Sequence, residues 1–193
     1  MKFIIILLFI ALCSSQLVMI SHYCDPSCKL LYSSRIEAFN NQCVDHEDGT
    51  SIVNECHSHW YTSTKCETQG CTSGCNISSI STNTCIKDIH RYTSIRCLDA
   101  IPIIDTPSYS RIQYSNTNCN DTLISNIEST DIYILNICSH IGGRYSKYTY
   151  RNSNVYLHIC NDESCTSCGT SRIIDSIGCN TYGNTSIQVI INK

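Results

Sequence analysis

CDPSCKLLYSSRIEAFNNQC, residues 24–43, begins and ends with a cysteine and places 18 residues between the two. The same spacing separates three further pairs along the chain, which are Cys66 and Cys85, Cys119 and Cys138, and Cys160 and Cys179. The first cysteines of these pairs follow one another at steps of 42, 53 and 41 residues. A recurring spacing with a period near 42 residues indicates one small unit repeated four times.

Strand-like runs flank the cysteines of each unit, because β-branched and aromatic residues alternate there with polar ones. The runs before the first cysteines cover residues 18–23, 59–64, 112–115 and 155–159. After the last cysteine, Thr-Ser-Ile begins at residues 50, 93 and 185, and the third unit has Tyr145-Ser146-Lys147 instead. Helical periodicity is weak, and residues 30–39 are the best candidate for a short helix. We predict an all-β fold of disulfide-stapled tandem repeats, with four units and about three short strands in each.

The N-terminus has the pattern of a secretory signal peptide. Lys2 precedes an apolar run over residues 3–13, and Ser14, Ser15 and Gln16 follow it. An N-terminal membrane anchor is the alternative, but the run is shorter than the ~20 residues of a membrane span. We therefore predict a signal peptide at residues 1–15, a secreted, extracellular protein and no membrane span after cleavage.

The long step between the second and third units contains an insertion, residues 101–108. It carries Pro102 and Pro107, which suit a linker because proline cannot donate a hydrogen bond to a sheet. We predict units one and two at residues 16–100, a linker or loop at 101–108, and units three and four at 109–193. The alternative is a single four-unit domain with a surface loop at residues 101–108.

Cysteine content agrees with export. The chain has 16 cysteines, and loss of the signal peptide removes Cys13. Disulfides persist in the oxidising conditions outside the cell. Three N-x-S/T sequons, at Asn76, Asn120 and Asn184, predict a glycoprotein.

The third unit suggests how the cysteines pair. It keeps Cys119 and Cys138 but lacks the two inner cysteines of units two and four. The joint loss of the two inner cysteines favours a pattern in which the first cysteine of a unit bonds with the last and the second bonds with the third. The alternative is a pattern in which the first cysteine bonds with the third and the second with the fourth. The predicted bonds are Cys24–Cys43, Cys66–Cys85, Cys119–Cys138, Cys160–Cys179, Cys71–Cys75 and Cys165–Cys168. Of the remaining Cys28, Cys56 and Cys97, one must be unpaired and could form a disulfide-linked dimer.

No catalytic, metal or cofactor site emerges from the sequence. The formal net charge is −3 and no basic stripe exists, which disfavours nucleic-acid binding. His57 and His59 alternate and could share a strand face, but no third metal ligand lies nearby. No motif places a nucleophile, a base and an orienting group together. We predict no cofactor, no metal and no enzyme activity.

Tyrosine is concentrated in the second half of the chain. Tyr145, Tyr148 and Tyr150 lie close together, and basic residues such as Arg144 are interleaved with them. A tyrosine face with flanking polar groups could stack on a sugar or contact a protein. We predict these four residues as a binding face, and the alternative is that the tyrosines fill the core side of a sheet.

The segments WYTSTKC at residues 60–66, NTC at 83–85 and YTSIRC at 92–97 resemble the repeat of small secreted cysteine-rich proteins common in social amoebae. The third unit departs from that pattern by lacking the inner cysteines. The resemblance implies export and repetition, and it brings no activity, cofactor or catalytic residue with it.

Together these features predict a secreted, non-catalytic cysteine-rich protein that serves in extracellular binding, in adhesion or as a matrix component. Its partner would be an extracellular protein or a carbohydrate. The alternative is a secreted inhibitor or effector that presents a cross-linked loop to a partner protein.

Overall fold

The structure is a computed structural model that describes residues 17–38, 43–57, 59–87, 91–119, 127–141 and 143–192. The predicted signal peptide at residues 1–15 and the sequon asparagine at position 120 lie outside the described residues.

The described part of the chain contains sixteen strands, one turn of 3-10 helix at Gln69–Cys71 and connecting loops, so the all-β prediction is confirmed. The strands are β1 Leu17–Tyr23, β2 Leu31–Ala38, β3 Val44–Asp45, β4 Ser51–Cys56, β5 Trp60–Cys66, β6 Asn76–Ser81, β7 Ile86–Lys87, β8 Tyr92–Leu98, β9 Ser108–Tyr114, β10 Ile127–Ile134, β11 Ser139–Ile141, β12 Arg144–Arg151, β13 Asn154–Cys160, β14 Cys168–Ser176, β15 Gly178–Tyr182 and β16 Thr185–Asn192. The helix predicted over residues 30–39 is wrong. Leu31–Ala38 of that stretch forms β2, which has strand partners on both sides that override its helical pattern.

The strands form three antiparallel sheets. A large sheet of eight strands has the order β15-β16-β9-β10-β2-β1-β8-β7. Two small sheets of four strands have the orders β3-β4-β5-β6 and β11-β12-β13-β14. In the middle of the large sheet β2 pairs with β10, and Arg35 lies opposite Asp131.

The strand order occurs twice along the chain. Strands β1 to β8 contribute β7-β8-β1-β2 to the large sheet and form the small sheet β3-β4-β5-β6. Strands β9 to β16 contribute β15-β16-β9-β10 in the matching order and form the small sheet β11-β12-β13-β14. The finer division into four units stays a prediction, as do the domain boundaries at residues 16–100, 101–108 and 109–193.

Alternation along β1 shows how the large sheet is covered on both faces. Val18 packs with Ile95 of β8 and Cys56 of a small sheet. Its neighbours Leu17 and Met19 point to the opposite face, where they form a cluster with Ile36 and Ile132. Ile101 and Ile104 of the predicted linker pack against this second cluster. In the other half Tyr109 and Val189 of the large sheet pack with Val155 of the second small sheet.

The disulfide bonds differ from the predicted ones. Seven bonds join the described cysteines, and none of the six predicted pairs is among them. The bonds are Cys28–Cys85, Cys43–Cys71, Cys56–Cys97, Cys66–Cys75, Cys119–Cys179, Cys138–Cys165 and Cys160–Cys168. Cys24, predicted to be bonded, carries the free and exposed thiol.

Strand geometry explains this correction. Because β1 and β2 form an antiparallel hairpin, Cys24 leaves one end of it and Cys43 follows the other end. A bond needs Cα atoms about 4.4–6.8 Å apart, which opposite ends of an eight-residue strand do not offer. Cys160 instead lies opposite Cys168 in the pairing of β13 with β14, and the two bond there.

Three bonds in the first half have counterparts of similar span in the second. Their sequence separations are 57 and 60, 28 and 27, and 9 and 8 residues. Cys56–Cys97 alone among the seven bonds lacks a counterpart, and it joins a small sheet to the large one. The bonding pattern thus follows the twofold strand order, not the C-x18-C spacing.

Peptide mapping of the non-reduced protein tests this bonding pattern. Alkylation before reduction is expected to label Cys24 alone among residues 17–192, because the thiols of the other fourteen cysteines are consumed in bonds. A labelled Cys28, or a peptide cross-linked through Cys24 and Cys43, would contradict the structure. The variant Cys24→Ser provides the control, since it should lose the label and keep the seven bonds.

Candidate binding groove

The predicted tyrosine face does not form a single surface. Alternation along β12 places Arg144, Tyr148 and Tyr150 on one face of the strand and Tyr145 on the other. Tyr148 faces the large sheet. Its ring centroid lies 4.8 Å from that of Tyr133 and 5.6 Å from that of Tyr109.

This aromatic cluster belongs to the packing between two sheets. Burial raises the pKa of Tyr148 to about 12, and neighbouring Tyr133 adds to the shift. Tyr150 lies near the end of the strand and is 41% exposed. Tyr148 therefore lies on the core side of a sheet, as the alternative to a binding face predicted.

Tyr145 lies on the opposite face of β12 from Tyr148, and it lines a small cavity with Tyr23 and Tyr32 of the large sheet. Its hydroxyl donates a hydrogen bond to Glu163 at 3.2 Å, and its ring lies 4.7 Å from that of His140. Tyr145 therefore joins β12 to the loop after β13, and Arg144 is exposed at the start of β12.

A polar groove of about 520 Å³ lies on the same outer face, over β12, β13 and β14. Strand pairing builds it, because Lys147 lies opposite His158 and His158 lies opposite Ser171. Thr149 and Tyr156 form the next row of the groove. Its principal lining residues are Lys147, Thr149, Arg151, Tyr156, His158 and Ser171.

Hydrogen bonds fix three of these side chains. Thr149 Oγ1 lies 2.8 Å from His158 Nε2, and the ring of His158 lies 6.5 Å from that of Tyr156. Lys147 Nζ donates to the backbone carbonyl of Cys165 at 2.7 Å. Arg151 is exposed, and its guanidinium makes no hydrogen bond or ion pair with another described residue. Arg151 is thus the groove cation available to a ligand.

The loop between β13 and β14 forms one wall of the groove and is held in place by Asp162. This carboxylate accepts hydrogen bonds from the amide groups of Thr166 at 3.0 Å and Ser167 at 2.7 Å, and from the hydroxyl of Ser164. These bonds lower the pKa of Asp162, that to Ser164 most strongly. The Cys138–Cys165 and Cys160–Cys168 bonds anchor the same loop, so the wall is built before any ligand arrives.

The groove carries positive charge, whereas the whole chain carries a net negative charge. Lys147 and Arg151 line it, and no Asp or Glu is among its described lining residues, although the chain carries a net charge of −3. Burial, and to a lesser extent Lys147, lowers the pKa of His158. His158 is therefore neutral at pH 7 and serves as a hydrogen-bonding group.

The described residues contain no cluster of three or more His, Cys, Asp or Glu side chains that could hold a metal ion. His57 lies near one carboxylate, with its Nε2 atom 3.7 Å from Glu55 Oε2, and His59 is exposed. Within the described part of the chain, no helix has the length and apolarity that a membrane span requires. The sequon residues Asn76 and Asn184 are both exposed, and their glycosylation stays a prediction.

Comparisons with protein-family models, with curated proteins and with solved structures give no match for this chain. The resemblance to secreted cysteine-rich proteins of social amoebae stays a prediction.

The sequence shows the alternation of the groove residues on β12, but it does not mark the whole groove as a set. Lys147, Thr149 and Arg151 have the opposite phase to Tyr148 and Tyr150, so one set must face outwards when the other faces the core. His158 and Tyr156 join this set through strand pairing, which the sequence does not specify.

The variants Tyr148→Ala and Tyr150→Ala separate the core role from a binding role. Loss of the packed ring of Tyr148 is expected to cost about 3 kcal/mol of unfolding free energy. The same change at the exposed Tyr150 should cost under ~1 kcal/mol. Chemical denaturation measures both values, and equal effects of the two variants would contradict the assignment of Tyr148 to the core.

Protonation of His158 should make the protein less stable in mild acid. Its pKa is lowered in the folded state, so the unfolded chain takes up a proton more readily as the pH falls below ~6.5. The stability that neutral His158 provides is present above pH 6.5 and is lost as the pH falls through the folded-state pKa. Melting temperatures at pH 8 and pH 5 should differ less in the variant His158→Gln than in the native protein. An unchanged difference would show that another group carries the dependence.

Proposed function

We propose that the protein is a secreted, non-catalytic binding protein of the extracellular space, and that its groove over β12, β13 and β14 binds an acidic carbohydrate. One observation carries the proposal: the groove combines two cations and a tyrosine ring without a carboxylate among its described lining residues. Adhesion or a place in an extracellular matrix would use this binding.

The side chains of the groove match the chemistry of an acidic sugar. Arg151 can bind a carboxylate or sulfate through two parallel hydrogen bonds, and it has no competing partner among the described residues. Tyr156 offers an aromatic face to the apolar side of a sugar ring. Ser171 and the neutral imidazole of His158 can exchange hydrogen bonds with sugar hydroxyls.

The scaffold supports binding because it limits the ordering cost. Two disulfides and Asp162 hold the loop wall, and three paired strands hold the floor. A site that is ordered before binding loses less entropy when the ligand arrives. The seven disulfides are compatible with an oxidising extracellular environment.

Cys24 offers a route to a disulfide-linked dimer. Its thiol is exposed, and it is the one free cysteine of the described residues. Under oxidising conditions outside the cell, the Cys24 thiols of two copies of the chain would form a disulfide bond with each other.

A glycan panel with neutral, carboxylated and sulfated members tests the groove. The native protein is expected to retain the acidic members and to release them as the salt concentration rises, because exposed charges are screened. The variant Arg151→Gln should weaken binding by roughly tenfold or more, the equivalent of a charged hydrogen bond.

The matched control is Arg144→Gln, which removes an exposed arginine from the opposite face of the same strand. It should bind acidic glycans as the native protein does. Equal losses in the two variants would show that net charge alone causes retention. Absence of any glycan binding, with capture of an extracellular protein instead, would favour the inhibitor or effector role.

A further inference from the structure

Strand β6 is an edge strand with an open side. It is the last strand of its small sheet, and on its free side no other strand of the described residues pairs with it. Its six residues, Asn76–Ser81, keep an unbroken register with β5. Residues 76–79 are all exposed, and Ile77 is 72% exposed. A regular edge strand presents unpaired N–H and C=O groups, with which a strand of another molecule can pair.

The other edge strands of the three sheets carry features that hinder such pairing. β14, which corresponds to β6 in the second half, carries Arg172 and Asp175, and its register shifts twice along β13. β3, β7 and β11 have only two or three residues each. β15 has five residues and is bonded through Cys179 to Cys119, whose Cα atom lies 5.8 Å away. Charges, bulges and short length protect edges in natural sheets. β6, which the structure describes in full, has no charged residue, no proline and no register shift.

A glycosylation sequon is present on β6 instead of these features. Asn76 is the first residue of the strand, and it forms the sequon with Ile77 and Ser78. Its side chain is exposed, so the folded chain leaves room for a glycan there. An N-linked glycan is bulky and well hydrated. On an edge strand it would keep a second strand away from the free side. Asn184 differs, because it lies in the connection between β15 and β16 and not in an edge strand.

We propose that Asn76 carries an N-linked glycan that covers the free side of β6 and prevents two copies of the chain from pairing through this edge. Without the glycan, β6 of one copy would add as a further strand to β6 of a second copy. The proposal rests on export, which is part of the proposed function, because sequons are modified in secreted proteins. It does not depend on the groove over β12, β13 and β14, which lies on a different sheet.

Mass spectrometry of the protein secreted by eukaryotic cells tests whether the glycan is present. Peptides that contain Asn76 are expected to carry it in most molecules. Unmodified Asn76 would overturn the proposal. A glycan at Asn184 beside an unmodified Asn76 would overturn it and leave export, and with it the proposed function, intact.

Removal of the sequon tests what the glycan does. All variants also carry Cys24→Ser, so that no disulfide-linked dimer contributes to the measured mass. Ser78→Ala abolishes the sequon and keeps Asn76, and its mass in light scattering is expected to rise roughly twofold or more as the protein concentration increases. The matched variant Ser78→Thr keeps the sequon and should stay a monomer. A Ser78→Ala protein that is a monomer at every concentration would refute the proposal.

A second way of removing the glycan excludes an effect of the serine itself. Ser78 Oγ donates a hydrogen bond to the backbone carbonyl of Ser63 at 3.2 Å, and Ser78→Ala loses this bond. Asn76→Gln leaves the bond in place and should associate as Ser78→Ala does. A monomeric Asn76→Gln protein would show that the lost hydrogen bond, and not the lost glycan, causes association.

Two further variants locate the contact. Asn184→Gln removes the glycan of the other described sequon and should stay a monomer. Association equal to that of Asn76→Gln would show that any glycan loss lowers solubility, against the proposal. Adding Ile77→Lys to Asn76→Gln places a charge on the exposed edge and should restore the monomer. Persistent association of this double variant would place the contact outside β6.

Discussion

The covalent links between distant segments carry much of what holds this chain in one shape. The apolar clusters are small, with three or four buried residues in each. Many fully covered positions are serines, such as Ser51, Ser108 and Ser186, which bury little apolar surface. In the chain-entropy account, a bond across 9 residues contributes about 2.5 kcal/mol and one across 57 residues about 4 kcal/mol. A few such bonds equal the total stability of a typical domain, ~5–15 kcal/mol.

The pairing of β2 with β10 joins the two sets of eight strands into one large sheet. Arg35 and Asp131 face each other at its centre, and Arg35 Nη1 lies 3.4 Å from Asp131 Oδ1. Burial raises the pKa of Asp131, while Arg35 and Arg111 oppose that shift. The pair therefore offsets part of the cost of placing a carboxylate at this position, and opposite charges at facing positions favour this register over a shifted one.

The strands could be predicted from the sequence, but their partners could not. Alternation before the cysteines located β1, β5, β9 and β13, because the period of a strand is a local property. Disulfide pairing depends on which strand ends meet, which is a property of the whole sheet. The C-x18-C spacing is therefore a regularity of the sequence that does not coincide with the disulfide bonds.

The same limit applies to the candidate binding surfaces. Alternation separates Tyr148 from Lys147, but only the position of the large sheet decides which of them faces solvent.

The two halves of the chain hold a small sheet against the large sheet by different interactions. In the first half Cys56–Cys97 joins a small sheet to the large one, beside Tyr61. In the second half no bond joins the corresponding sheets among the described residues, and the rings of Tyr109, Tyr133 and Tyr148 pack there instead. Aromatic packing can replace a cross-link here because each ring buries a large area and its position is fixed by its neighbours. The groove over β12, β13 and β14 thus lies on a sheet whose inner face is held by close packing, and this leaves the outer face free to carry polar residues.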